Sequence, residues 1–64
     1  MWTVMYIAPT SAIADKIQDR LAEEGYEVRV KPMIMGKQQQ FEISVRETEV
    51  HEVQQLLLDI LNEQ

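Results

Sequence analysis

Two stretches of alternating residues decide the fold: Tyr26-Glu27-Val28-Arg29-Val30-Lys31 and Phe41-Glu42-Ile43-Ser44-Val45-Arg46. Alternation with a period of two places the apolar side chains on one side of a strand and the polar side chains on the other. Both stretches are therefore predicted to be strands with one buried side. The segment between them, residues 32–40, is too long for a tight turn and is predicted to form a wide, mobile hairpin loop.

A third strand and a helix are predicted before these two strands. Aromatic and β-branched residues fill Trp2–Ala8, and Pro9 ends the strand because proline cannot donate to a sheet ladder. Either Thr10 or Ser11 can cap the helix that follows, and Gly25 ends it, since glycine adopts the left-handed cap conformation without penalty. The helix has a narrow apolar stripe with a spacing of four, formed by Ile13, Ile17 and Leu21.

A second helix is predicted from about Thr48, whose hydroxyl can cap it. At about 100° per residue, Leu57 falls at the centre of its apolar face and Leu58 falls outside it. We therefore expect Leu57 to be buried and Leu58 to be exposed. The whole face comprises Val50, Val53, Leu56, Leu57, Ile60 and Leu61.

The order β-α-β-β-α over residues 1–64 predicts a single α+β domain of the split βαβ kind. If the third strand lies between the other two, the sheet has the order β1-β3-β2 and both helices cover one face. This is a ferredoxin-like arrangement that lacks the last strand. The first strand is then an unpaired edge, which natural proteins usually cover or pair.

Composition limits the class of protein. The 64 residues contain no cysteine, so neither disulfides nor thiolate zinc sites can stabilise the fold. The net charge of −5 argues against binding to nucleic acids or anionic membranes, which require a positive surface. No apolar run is long enough to span a membrane, and the start lacks the charged region of a signal peptide, so a cytoplasmic protein is expected.

Three segments resemble a known family. They are Val4-Met5-Tyr6-Ile7-Ala8-Pro9-Thr10, Leu21-Ala22-Glu23-Glu24-Gly25-Tyr26, and Phe41-Glu42-Ile43-Ser44-Val45 before an amphipathic tail. Together they resemble the small bacterial proteins described as putative prokaryotic signal-transducing proteins. The resemblance covers nearly the whole chain, with Thr10 where the family has asparagine. It implies a ferredoxin-like fold and a regulatory role, and it carries over no catalytic residue.

No catalytic, cofactor or metal site is predicted. Glutamate decarboxylase activity would require a pyridoxal phosphate cradle around a Schiff-base lysine, and Lys16, Lys31 and Lys37 have no such setting. His51-Glu52-Val53-Gln54-Gln55 differs from the zinc-protease helix motif because its second histidine is replaced, and the chain has no other histidine. Neither serine has a plausible base beside it.

Basic residues are concentrated between the helices. Arg29, Lys31 and Arg46 are predicted to lie on the sheet face opposite the helices, with Lys37 in the loop, and Glu42 is the only acid within residues 28–46. These four basic residues form a candidate site for an anionic ligand or an acidic partner. The alternative is an ordinary solvated sheet face.

Apolar residues outside the predicted core form a candidate interaction surface. In the preferred register of the first strand Thr3 points outward, so Trp2, Val4, Tyr6 and Ala8 face the helices and Met5 and Ile7 lie on the open face; the opposite register is the alternative. Flexible, methionine-rich surfaces suit partner binding, unless the loop folds back on the core. The candidate interaction residues are Met5, Ile7, Met33, Ile34 and Met35.

The sequence thus predicts a non-catalytic regulatory or protein-interaction module. Its partner is another protein or a second copy, bound through the first strand's edge or the open sheet face. The alternative function is a sensor that binds an anionic metabolite or nucleotide on the basic sheet face.

Overall fold

The computed structural model describes residues 1–63 and shows the predicted order of elements. Three strands, two α-helices and one 3₁₀ turn follow one another along the chain. They are β1 (Trp2–Ala8), α1 (Ser11–Glu23), β2 (Val28–Met35), β3 (Gln38–Arg46), the 3₁₀ turn (Glu47–Glu49) and α2 (Val50–Asn62).

The sheet has the predicted order β1-β3-β2. β3 is the central strand and runs antiparallel to both neighbours, so β1 and β2 are parallel to each other and α1 forms the crossover between them. The α+β fold with βαββα order and a ferredoxin-like arrangement is confirmed. Both β1 and β2 are edge strands.

Both helices pack on the same face of the sheet. The core lies between the sheet and the two helices. Its fully buried large side chains are Ile17 and Leu21 from α1, Val53 from α2, and Ile43 and Val45 from β3. On α2, Leu57 is 6% exposed and Leu58 is 54% exposed, which confirms the predicted phase of this helix.

The predicted wide loop between β2 and β3 is wrong. β2 continues to Met35 and β3 begins at Gln38, with Met35 paired to Gln38 and Met33 paired to Gln40. The strands reach the end of the hairpin because β2 is an edge strand, where Pro32 is tolerated. Apolar and polar residues do not alternate at this end because both of its sides are largely exposed, so the sequence lacks the usual strand pattern there.

A two-residue turn, Gly36-Lys37, closes this hairpin. Gly36 has φ +65°, and no non-glycine residue described has a positive φ. A positive φ at the first central position alone is typical of a type II′ turn, which normally has glycine there. The glycine at position 36, directly after the apolar run Met33-Ile34-Met35, was therefore the sequence signal for a tight hairpin.

We expect Gly36→Ala to lower the free energy of unfolding by about 1–2 kcal/mol, the cost of a left-handed backbone for an L-residue. A Cβ at this position would meet nothing within 4 Å, so the cost comes from the backbone and not from a clash. Lys37→Ala, at the adjacent turn position, is the matched control and should change stability by no more than about 0.5 kcal/mol. Urea denaturation measures both; equal effects would contradict the assigned turn.

A β-bulge changes the predicted orientation of β1. Thr3 pairs with Val45 and Tyr6 pairs with Ile43, so one extra residue, Met5, is inserted between Val4 and Tyr6. Cross-strand partners share a face, and both Val45 and Ile43 are buried under the helices. A strand with a bulge therefore presents even-numbered residues to one face before it and to the other face after it.

The predicted register is consequently right for one half of β1 and wrong for the other. Tyr6 and Ala8 face the helices and Ile7 faces outward, as predicted. Trp2 and Val4 lie on the open face instead of under the helices, and Met5 packs against the core instead of facing outward.

The ends of the helices explain where the chain turns. The Thr10 hydroxyl accepts a hydrogen bond from the Ile13 N–H at 3.2 Å, which settles the choice between the two predicted caps. At the other end of α1, Gly25 has φ +90°, its N–H donates to Ala22 and the Tyr26 N–H donates to Leu21, the pattern of a Schellman motif.

The predicted capping role of Thr48 is wrong. Thr48 lies inside the 3₁₀ turn, and Glu49 occupies the N-cap position of α2 without a side-chain capping bond. The turn is tied to the start of β1 instead, because the Glu47 N–H donates to the Met1 carbonyl oxygen at 2.8 Å.

Candidate functional site

The sheet face opposite the helices, here called the open face, is the candidate site. Strand pairing fixes its members, because partners across an antiparallel ladder project to the same side. Three side chains come from β1, where the bulge places them; the remainder alternate along β2 and β3. The open face comprises Trp2, Val4, Ile7, Arg29, Lys31, Met33, Met35, Gln38, Gln40, Glu42, Ser44 and Arg46.

One end of the open face carries an arginine–tryptophan cluster formed by Trp2, Arg29 and Arg46. The guanidinium carbon of Arg29 lies 4.0 Å from the centroid of the Trp2 ring, and that of Arg46 lies 5.5 Å from it. Both distances are within the range of cation–π attraction, which is strongest for tryptophan. The cluster forms because Trp2 on β1 pairs with Arg46 on the central strand β3. Arg29 lies on β2, at the other side of β3, where it pairs with Ser44 and reaches the Trp2 ring diagonally.

The two arginines of the cluster differ in their other partners. Arg46 donates from Nη2 to Oε2 of Glu27 at 2.5 Å, and this hydrogen bond raises the pKa of Arg46 above its usual value. Both side chains of this pair are more than half exposed, so the pair contributes little to stability. Arg29 takes part in none of the ion pairs within residues 1–63.

The four predicted ligand-binding residues do not form one site. Arg29 and Arg46 come together on Trp2. Lys31 lies in the middle of the sheet opposite Glu42, which offsets its charge. Lys37 lies in the turn before β3, and Arg46 lies at the other end of this strand, which spans about 27 Å at the usual rise per residue.

The predicted interaction residues are also divided. Ile7, 45% exposed, and both Met33 and Met35 lie on the open face. Ile34, 78% exposed, projects from the other side of β2 at the end of the hairpin. Met5 packs against the core and is not part of this surface.

Sequence reasoning missed two members of the open face, Trp2 and Val4. Val4 is 49% exposed, and Trp2 is half-buried beneath the arginines. Nothing in the apolar run of β1 marks the bulge that turns them outward.

The helical side of the molecule has the opposite charge. A cavity of about 180 Å³ lies between the end of α1 and the middle of α2, and its lining includes three acidic side chains and one arginine. That arginine, Arg20, donates a hydrogen bond to Glu63, which lowers the pKa of Glu63; Lys16 lies 3.9 Å from the same carboxylate. The cavity is lined by Arg20, Glu23, Glu24, Leu56, Asp59 and Ile60.

The described residues show no arrangement for metal chemistry. Within residues 1–63, no three histidine, cysteine or acidic side chains are placed to hold a metal ion, and His51 is exposed on α2. In the same range, no helix has the length and apolar character needed to cross a membrane. The candidate site thus consists of the arginine–tryptophan cluster and the exposed apolar residues Val4 and Ile7 on the same face.

Comparison of the chain with protein-family models, with curated proteins and with solved structures finds no match.

Proposed function

We propose that this protein is a non-catalytic protein-interaction module that acts through its open face. The observation that carries the proposal is the uncovered side of the sheet, on which apolar Val4 and Ile7 lie beside the arginine–tryptophan cluster. Tryptophan and arginine are the residues most enriched at the centres of protein interfaces, and exposed apolar patches mark interaction sites. A regulatory role for such a module is what the sequence resemblance to small bacterial signal-transducing proteins implies.

The uneven use of the two sheet faces supports the same proposal. Helices cover the central part of one face, whereas residues 1–63 place no layer over the other face. Sheets of this kind normally present a polar surface to water, with clean alternation along each strand. Here the bulge in β1 places Trp2 and Val4 on the open face. Without the bulge, the polar Thr3 would lie on this face instead.

Two equally exposed apolar residues on opposite sides of the molecule provide a matched test. Val4, on the open face, is 49% exposed, and Leu58, on α2, is 54% exposed. The variants Val4→Glu and Leu58→Glu should both fold. Self-association is measured by sedimentation equilibrium, and partner binding by comparing the proteins that each immobilised variant retains from a lysate of cells that produce it.

We expect Val4→Glu to abolish the association that the wild-type protein shows in these experiments, and Leu58→Glu to leave it unchanged. Loss of binding with Leu58→Glu alone, or with neither variant, would contradict the open face as the interaction surface. A wild-type chain that stays monomeric at tens of micromolar removes the homodimer and leaves a different protein as the partner.

A second candidate function is an anionic-ligand sensor. The specific observation in its favour is the convergence of two guanidinium groups on Trp2. Arginine recognises carboxylates and phosphates through paired hydrogen bonds. Titration of the ¹⁵N-labelled protein with citrate, AMP and inorganic phosphate tests it, and the absence of specific shifts at Arg29, Lys31 and Arg46 at millimolar ligand would contradict it.

A further inference from the structure

Charge on the open face restricts the kind of partner that it can bind. The face carries three basic side chains and one acidic side chain, Glu42, and Glu27 binds Arg46 at its edge, so the net charge of this surface is +1, although the net charge of the whole chain is −5. A second copy docked through the same face would bring two surfaces of the same net charge together, which is unfavourable. A partner with acidic side chains would meet opposite charge. The basic members are Arg29, Lys31 and Arg46.

Arg29 is the basic residue best placed to receive a carboxylate. Its guanidinium lies 4.0 Å from the Trp2 ring centroid, and it has no ion-pair partner within residues 1–63. A guanidinium held on an aromatic ring keeps its N–H groups at its edge for two parallel hydrogen bonds. Arg46, by contrast, is already bound to Glu27.

Apolar side chains of β1 lie on the same part of the open face as Arg29. Val4 pairs with Ser44, which pairs in turn with Arg29, so Val4 lies in the same row of the sheet as the receptor. Ile7 lies in the next row with Lys31, across Glu42. A ligand that contacts Arg29 therefore also contacts apolar surface, and a partner needs apolar residues as well as acidic ones.

We propose that the open face binds an acidic protein segment with apolar anchor residues, and that Arg29 is the receptor for one of its carboxylates. This inference rests on the proposed function and names the partner's chemistry. Nucleic acids and anionic membranes fit the surface less well, because polyanions need an extended positive footprint. Here Glu42 interrupts the basic residues, and Glu27 already neutralises Arg46.

Three short synthetic peptides test the inference by fluorescence polarisation. The first contains leucine and glutamate, the second leucine and lysine, and the third serine and glutamate. We expect the first to bind, with an affinity that falls as salt is added, and the other two to bind at least about tenfold more weakly. A single-stranded oligonucleotide and vesicles with anionic phospholipid are tested in parallel.

Variants locate the site. Arg29→Ala should weaken binding of the leucine–glutamate peptide by about tenfold, the loss of a charge-assisted hydrogen-bonded pair. Lys16→Ala, which removes a positive charge from the helical side, should leave binding unchanged. Both residues are on the surface, and far-UV circular dichroism verifies that the variants are folded. Chemical shifts of the Trp2 indole and of Val4 should move on binding.

The remaining outcomes overturn the acidic partner, and they show whether the open face as an interaction surface fails with it. If no peptide binds, or the lysine peptide binds as tightly as the glutamate one, the acidic partner is wrong, while loss of association with Val4→Glu still supports the open face. Binding of the oligonucleotide or the vesicles in place of the peptide also excludes it. If the leucine–glutamate peptide shifts resonances of α1 and α2 only, both proposals fail.

Discussion

Leu57→Ala is expected to lower the free energy of unfolding by about 2–5 kcal/mol, the usual cost of truncating a buried leucine. Leu57 is 6% exposed and belongs to the core between α2 and the sheet. A domain this small buries little apolar surface, so this loss is a large part of its total stability. Chemical denaturation with an unchanged m-value measures it.

The adjacent leucine is the control. Leu58 is 54% exposed on the same helix, and Leu58→Ala should change the free energy of unfolding by no more than about 0.5 kcal/mol. The two variants remove the same atoms from consecutive positions of one helix, so helix propensity and composition are matched. Similar losses at both positions would show that the face that α2 presents to the sheet has been assigned wrongly.

Ile43→Ala is expected to lower the free energy of unfolding by about 2–5 kcal/mol as well, because it leaves a cavity at the centre of the molecule. Ile43 is fully buried on the central strand, where it pairs with Tyr6 on one side and with Val30 on the other. The same denaturation experiment measures this loss. It tests the burial of the helix-facing side of β3, where Ile43 belongs to the core.

The matched isoleucine for this test is Ile34. It lies near the end of β2, is 78% exposed, and pairs with Gln39. Ile34→Ala should cost less than about 1 kcal/mol, mostly through lower strand propensity. If Ile34→Ala proved as destabilising as Ile43→Ala, the end of the hairpin would have to pack against the core.

The parts of the fold that the sequence predicts correctly are those with one buried and one solvated side. The apolar positions of α2 repeat with helical spacing, and Tyr26-Glu27-Val28-Arg29-Val30-Lys31 alternates as a half-buried strand does. Each pattern records a physical difference between the two sides of the element. Leu57 and Leu58 fall where this reasoning places them.

The errors fall where that difference disappears. From Pro32 to Gln40 both sides of the hairpin are largely exposed, so nothing selects for alternation, and only Gly36 marks the turn. In β1 nearly every residue is apolar, so the pattern is compatible with either face and does not reveal the bulge at Met5. A bulge reverses the side-chain direction of every residue on one side of it, and Trp2 and Val4 are reversed here.

The candidate site was predicted only in part, for the same reason. Alternation along β2 and β3 placed Arg29 and Arg46 correctly on the open face. Their shared contact with Trp2 depends on the bulge and on the β1-β3 register, neither of which has a sequence signature. Long-range pairing therefore creates the arginine–tryptophan cluster from residues that lie 27 and 44 positions along the chain from Trp2.

Fluorescence quenching of Trp2, the single tryptophan of the chain, measures the charge of the open face most directly. Iodide is an anion and quenches an indole more efficiently in positively charged surroundings, whereas caesium is a cation and does so in negatively charged surroundings. N-acetyltryptophanamide provides the reference for each ion. With Arg29 and Arg46 beside the ring, iodide should quench Trp2 more efficiently than caesium after this normalisation, and Arg29→Ala should reduce the difference. Preferential quenching by caesium, as the net charge of −5 alone would give, would contradict a positively charged interaction surface around Trp2.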